Sequence, residues 1–325
     1  MAKRRWLVPT AGALGAGLLA WLVVDLGPAT VAGQLRRLGT ILPAVLALTF
    51  IKYPLQAAGW RLALPPAARP SWRGSIMATI TGDALGYLTW AGPFTGEPMR
   101  AMLLRDRVAV ASGVAAGAIE RATYNSTAAI LALGVFAVVS ARARRFVLLG
   151  LVVTSATALA MVWLTRWRRG TKAAKPAATD DSLALAPRSG ARSTARGGRA
   201  VLRAIRELWR ERRNALPSIA ALSVAHHTVL VCEAYLLLGT LDADVTIGTA
   251  LVFEAATKVV NTVGLLVPGR LGIAEGGSAV LADALGFPAT YGLSLALMRR
   301  ARAVIWAGAG LALLPFQERR ARRAD

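Results

Sequence analysis

Apolar residues in this chain come in long blocks, neither alternating with polar ones nor confined to a narrow helical stripe. Leu7 to Val24 forms one block, and Ile41 to Phe50 opens another that continues toward Gly59. A helix of about 20 mostly apolar residues crosses the hydrocarbon core of a bilayer. The stretches 7–24, 40–60, 109–139, 146–164, 215–239 and 289–314 meet that length. The pattern predicts an all-α, polytopic membrane protein with about six spanning helices in a single integral membrane domain over residues 1–325. The opening "MAKRRW" before an apolar run looks like a signal peptide, but the length of the run and the spans after it favour a retained first helix.

Two segments, about 74–107 and 247–286, do not read as uninterrupted crossings. Each starts apolar, meets proline and glycine, then carries charge. Pro93 and Gly96 interrupt the first; Pro268, Gly269 and Gly272 interrupt the second. Irregular backbone at membrane depth is tolerated only where protein or a water-filled cavity covers it, so both segments are read as re-entrant hairpins. An offset of 178 residues lays one on the other without a gap. Asp83 then falls on Asn261, Gly86 on Gly264, Glu97 on Glu275 and Arg121 on Arg299. Three expected spans separate the hairpins, so the second copy is upside down. Residues 74–139 and 247–314 become the halves of an inverted repeat, an arrangement used by secondary transporters.

The net charge of +22 refines the topology. Basic residues collect at Lys3, Arg4 and Arg5, between Arg166 and Arg213, and at Arg319 to Arg323. Positive charge beside spans marks the cytoplasmic side and attracts anionic headgroups. Both termini and the 166–213 linker are therefore placed in the cytoplasm, in an inner (cytoplasmic) membrane; "RARR" at 142–145 is a short exception. The first part of the linker has the composition of a disordered segment. Residues 199–213 are expected to form a basic amphipathic helix on the membrane surface, with Val201, Leu202, Ile205, Leu208 and Trp209 on one face. Residues 25–39 read as a similar short segment on the opposite surface. Nucleic acid is not an expected partner, because aromatic residues do not interleave with the basic ones.

Ionisable groups inside a bilayer are costly and ask for a reason. Those within or beside the apolar segments are Asp83, Glu97, Arg100, Glu120, Arg121, Glu233, Glu254, Lys258, Arg270, Glu275, Arg299, Arg300 and Arg302. Glu97 and Glu275 follow the breaks, where a half-helix offers unpaired N–H groups and the positive end of its dipole. Arg121 and Arg299 lie about midway along their spans, and a guanidinium grips phosphate or carboxylate through two prongs. Glu97, Arg100, Arg121, Arg270, Glu275, Arg299 and Arg302 are accordingly the candidate substrate-binding residues for an anionic headgroup. A second reading is equally open, in which Glu97–Arg121 and Glu275–Arg299 are buried pairs that hold the hairpins. Arg299 and Arg302 share a face by their spacing, with Arg300 directed elsewhere. Glu254 and Lys258, four apart, are placed to satisfy each other. His226, His227 and Glu233 supply too few ligands on one face for a metal. The single cysteine, Cys232, is expected as a small buried packing residue. No phosphate-cradling loop, nucleophile elbow or HExxH motif is present, so neither an enzyme nor a cofactor is expected.

The stretches "GPFTGEPMRAMLLRDR" (92–107), "AIERATYN" (118–125), "VPGRLGIAEGG" (267–277) and "LSLALMRRAR" (293–302) resemble the lysylphosphatidylglycerol synthase transmembrane-region, flippase-like family. The last two look most like its hopanoid-biosynthesis-associated, HpnL-like branch. The first departs from the usual P-x-x-x-GE pattern but keeps Gly96 and Glu97. The resemblance implies a lipid-translocating inner-membrane protein handling an anionic lipid or a polyprenyl- or hopanoid-type amphiphile. The alternative is a non-transporting scaffold for lipid-synthesis enzymes. Because the last apolar block ends close to the C-terminus, the aminoacyl-transferase domain found in some relatives is expected to be absent.

Overall fold

A computed structural model describes residues 7–89, 93–136, 190–242, 244–263 and 271–321. The expected span 146–164, the "RARR" motif, the linker up to residue 189, and Pro268, Gly269 and Arg270 lie outside the described residues. Among those described, every regular element is helical: α1 (Leu7–Asp25), α2 (Pro28–Thr40), α3 (Leu42–Ala63), α4 (Trp72–Leu88), α5 (Pro93–Leu103), α6 (Val110–Phe136), α7 (Gly190–Arg212), α8 (Leu216–Leu241), α9 (Ile247–Val263), α10 (Ile273–Ala284) and α11 (Ala289–Ala321). Proline opens α2, α3 and α8 within their first two positions, where its missing N–H costs nothing. Ser71 caps α4, its hydroxyl accepting from the Gly74 N–H at 3.2 Å. Gly27 turns the chain between α1 and α2 at φ 88°.

Two apolar cores sit toward opposite ends of the helices. The first joins Trp60 and Ala63 of α3, Leu64 just after it, Ala78 of α4, Leu104 and Val108 after α5, Ala115, Ala116 and Ile119 of α6, Ala204 and Leu208 of α7, and Ile219 of α8. The second joins Leu38, Val45, Leu237, Leu238, Leu241, Phe253, Ala256, Leu281, Ala282, Leu295 and Met298. Helix α3 runs from the second core to the first, and α8 runs the other way. The α4–α5 pair begins and ends at the first core, whereas α9–α10 begins and ends at the second. Between the cores lie the charged residues of α3, α8 and the four hairpin helices.

Packing is matched across the chain. Helices α3 and α8 pack on each other; α4 packs on α11 as α9 packs on α6, and α2 on α11 as α7 on α6. The pairs α4–α5 and α9–α10, and α5–α6 and α10–α11, correspond likewise. The five helices from α2 to α6 thus have counterparts, in order, in α7 to α11. Helices α4 and α9 are each 17 residues long, and α5 and α10 are 11 and 12.

Large apolar side chains cover much of the exterior, including Trp21, Val24, Phe50, Ile130, Leu133, Val304 and Phe316, all more than half exposed. That much exposed apolar surface is unfavourable in water and favourable against lipid. By length and composition, the continuous helical stretch Gly198–Leu241 qualifies as a membrane span by itself, and the pair Ala16–Asp25 and Pro28–Thr40, bent by 99°, qualifies together. Helices α3, α6 and α11 are long enough in residues, but Lys52, the Glu120–Arg121 pair and Arg299, Arg300 and Arg302 lower their hydropathy.

Three expectations are corrected here. Cys232 is exposed rather than buried; it lies on a stripe of α8 with Val224, Thr228, Tyr235 and Leu236, all outward. A hydrophobic position in a helix facing lipid has no need of a protein neighbour, so apolarity did not imply burial. Helix α7 begins at Gly190, inside the stretch read as linker. Its Ala204 and Leu208 pack into the first core, while Leu202 and Trp209 remain exposed, so the expected single apolar face is divided between protein and surroundings. Gly96 does not interrupt a helix. It lies inside α5, where an added Cβ would stand 2.8 Å from the Gly82 carbonyl oxygen, and its lack of a side chain lets α4 and α5 touch backbone to backbone.

Candidate functional site

The charged residues of the first half converge where α5 meets α4 and α6. Glu97 and Arg100 are one turn apart on α5, with Arg100 Nη2 2.6 Å from Glu97 Oε2. Arg121 of α6 reaches the other carboxylate oxygen at 3.1 Å. Glu97 is therefore shared between two guanidinium groups, and Gly117 of α6 makes the room: a Cβ there would meet Glu97 Oε2 at 2.5 Å. Arg100 is 2% exposed. It lies over the Trp60 ring at 5.0 Å, reaches Thr79 Oγ1 at 3.5 Å and stands 3.9 Å from Glu120. Its charge is thus enclosed by protein, a structural placement rather than an accessible one. Arg121 keeps about a third of its side chain exposed, at 32%.

In the second half Glu275 sits at the third position of α10. One oxygen accepts the Gly272 N–H at 2.9 Å, capping the helix. Gly272 itself has φ 76°, a left-handed conformation that glycine adopts without the strain of a side chain. The other oxygen accepts from Arg300 Nε at 2.6 Å. The expected Glu275–Arg299 pair is therefore replaced by Glu275–Arg300, and Arg300 points away from the face that Arg299 and Arg302 share, as its spacing predicts. The spacing from carboxylate to arginine is nearly preserved between halves, 24 residues for Glu97–Arg121 and 25 for Glu275–Arg300. One residue is about 100° of helical turn, enough for α11 to present Arg299 to a different neighbour.

That neighbour is α8. Arg299 Nε lies 3.2 Å from Glu233 Oε1, and Arg299 Nη2 is 2.6 Å from Glu254 Oε2. Arg302 binds the second oxygen of Glu233, so Arg299 and Arg302 do share a face. Lys258 binds the second oxygen of Glu254 at 2.7 Å, as the i,i+4 spacing predicts. The result is a ladder, Arg302–Glu233–Arg299–Glu254–Lys258, in which both carboxylates use both oxygens. Lys258 also donates to the Tyr124 hydroxyl of α6 at 2.9 Å, tying the second half to the first. The Tyr124 ring lies 4.3 Å from that of His227, whose Nε2 is 3.1 Å from Thr127 Oγ1.

Lys52 of α3, which was not among the sequence candidates, pairs with Asp83 of α4 at 3.3 Å. Its signal was present: a lone ammonium group within an apolar block. Arg270 lies outside the described residues. Among the described residues no three His, Cys, Asp or Glu side chains converge as metal ligands.

Four carboxylates are almost wholly enclosed: Glu233, Glu275, Glu254 and Glu120. Exposure remains mainly on Arg121, Arg300, Lys258 and Lys52, and on Asp83. Apart from Asp83, the carboxylates stand behind and the cationic edges stand forward. The all-helical fold, the lipid-suited exterior and this ionic mid-layer define a helical membrane protein. The chain belongs to the family described as the lysylphosphatidylglycerol synthase TM region, whose model matches residues 9–310. No curated protein and no solved structure matches it.

Proposed function

We propose that this chain is a translocase for an anionic lipid, or for a polyprenyl- or hopanoid-type amphiphile, in the cytoplasmic membrane, and not an enzyme. In this reading α4–α5 and α9–α10 are re-entrant hairpins entering from opposite faces, between about six spans, with both termini in the cytoplasm. The two halves form an inverted repeat. Each hairpin pair leaving and rejoining its own apolar core, in opposite senses, supports that arrangement.

The observation that carries the function is the placement of the ionic groups. Each half carries a carboxylate–arginine cluster, Glu97 with Arg121 and Glu275 with Arg300, and a Lys258–Tyr124 bond ties the ladder of the second half to α6. Charges at that depth face a route or a partner. An anionic headgroup passing between leaflets would exchange hydration for these guanidinium and ammonium groups while its tails stay in lipid.

One observation favours the scaffold reading instead. Arg100, Glu120, Glu233, Glu254 and Glu275 are nearly sealed, as dry structural pairs would be. Reconstitution decides between them. In liposomes carrying a trace of headgroup-intact, tail-labelled phosphatidylglycerol, a membrane-impermeant reductant quenches only the outer leaflet. The translocase reading expects complete quenching at a rate above that of protein-free vesicles. Quenching that stops at the outer-leaflet fraction in both would support a scaffold.

A further inference from the structure

The ladder from Arg302 to Lys258 holds three cations and two carboxylates, and both carboxylates are saturated. Among the described residues Arg302's only salt-bridge partner is Glu233, which it shares with Arg299. A charge held away from water at a fraction of a partner is unfavourable unless another anion completes it. One turn on from Arg302, Trp306 stacks with Phe50 at 6.1 Å and meets Tyr53 edge-on at 5.0 Å. This places Arg302 against the part of α3 that carries Lys52. Helix α4 closes the third side: the Thr81 hydroxyl donates to the Gly310 carbonyl at 3.1 Å. Asp83, two residues on, is 32% exposed on its side chain, the most open of the paired carboxylates at this layer.

We propose that Lys52 and Arg302 form a seat for a single phosphate mono- or diester group, and that Asp83 is the internal counter-ion which this group displaces from Lys52. The seat lies on α3, α4 and α11, outside both carboxylate clusters. The counter-ion keeps Lys52 paired while the seat waits, and its exposure leaves it able to swing aside. Arg302 supplies a forked donor and Lys52 a point charge, a combination suited to one tetrahedral anion. The phosphate can belong to a lipid headgroup or be free; the proposal deepens the translocase reading and rests on it only for the lipid source.

The test is calorimetric titration of the full chain in a nonionic maltoside with dihexanoylphosphatidylglycerol, with inorganic phosphate, and with zwitterionic dihexanoylphosphatidylcholine. Phosphatidylglycerol is expected to bind in preference to phosphatidylcholine. Asp83→Asn, which removes the internal competitor, should tighten that binding by about five-fold or more. Lys52→Gln and Arg302→Gln should weaken it by a similar factor; Glu233 retains Arg299 in the latter. A gain in Asp83→Asn cannot arise from misfolding. Inorganic phosphate binding with the same variant order, and no lipid binding, would keep the seat while removing the lipid-translocase reading. Lipid binding with that order but no leaflet exchange in proteoliposomes would also keep the seat and remove the reading. Unchanged or weaker affinity in Asp83→Asn, or no binding of either phosphate probe, overturns the proposal.

Discussion

At the scale of single residues, the ionic layer is a set of shared carboxylates, and sharing makes their removal unequal. Glu233 holds Arg299 and Arg302 at once and has no exposed surface. Glu233→Gln leaves two enclosed guanidinium groups with one fewer anion, and breaking a buried pair costs about 3–5 kcal/mol. A clear drop in the thermal unfolding midpoint of the detergent-solubilised protein is expected. Arg121→Gln should cost far less, because Arg121 is about a third exposed and Glu97 keeps Arg100. Equal midpoints for the two variants would count against the ladder. Gly117→Ala tests the other cluster: the new methyl group would stand 2.5 Å from Glu97 Oε2, and overpacking costs about 1–3 kcal/mol. The same thermal measurement checks it, with a loss confined to that range expected. Which residues carry charge at depth was readable from the sequence, apart from Lys52. Which pairs with which was not, because a single residue of register on α11 separates Arg299 from Arg300 and directs them to α8 and α10.

At the scale of the elements, hydropathy located the long helices to within a few residues: α3 at 42–63 against 40–60 expected, α6 at 110–136 against 109–139, and α8 at 216–241 against 215–239. It did not reveal which faces meet protein, because lipid and protein interior are alike to an apolar side chain. Cys232 shows the difference. A spin label on this single natural cysteine should be more accessible to dissolved oxygen than to a polar nickel chelate, as expected of a lipid-facing site on α8. Greater accessibility to the chelate would place the stripe of Val224, Thr228 and Cys232 in water. The linker boundary was missed for a different reason. The residues from Gly190 are rich in glycine, serine and arginine, a composition of disorder, yet α7 is held at its C-terminal part by Ala204 and Leu208 in the first core and by Arg212, whose Nε donates to the Leu62 carbonyl at 3.2 Å. Tertiary packing outweighed local propensity.

At the scale of the whole molecule, the correspondence is broader than the two hairpins compared in sequence. It extends back to α2 and α3 and to α7 and α8: α2 and α7 are both basic and amphipathic, α3 and α8 both apolar, and their packing partners match. If the halves are inverted, the turn after α3 and the turn before α9 face opposite sides. A cysteine at Arg69, in a Cys232→Ser background, should react with a membrane-impermeant maleimide from the cytoplasmic side, and one at Thr246 from the outer side. Labelling of both from one side would contradict the inversion. We propose that the Glu97 and Glu275 clusters serve passage of an anionic headgroup. The most direct measurement is the leaflet-exchange rate of tail-labelled phosphatidylglycerol in proteoliposomes of the wild type and of Glu97→Gln/Glu275→Gln, each compared with labelled phosphatidylcholine. Faster exchange of phosphatidylglycerol is expected in the wild type, with loss of that preference in the double variant. A wild type indistinguishable from protein-free vesicles, or a double variant that keeps the full preference, would contradict it.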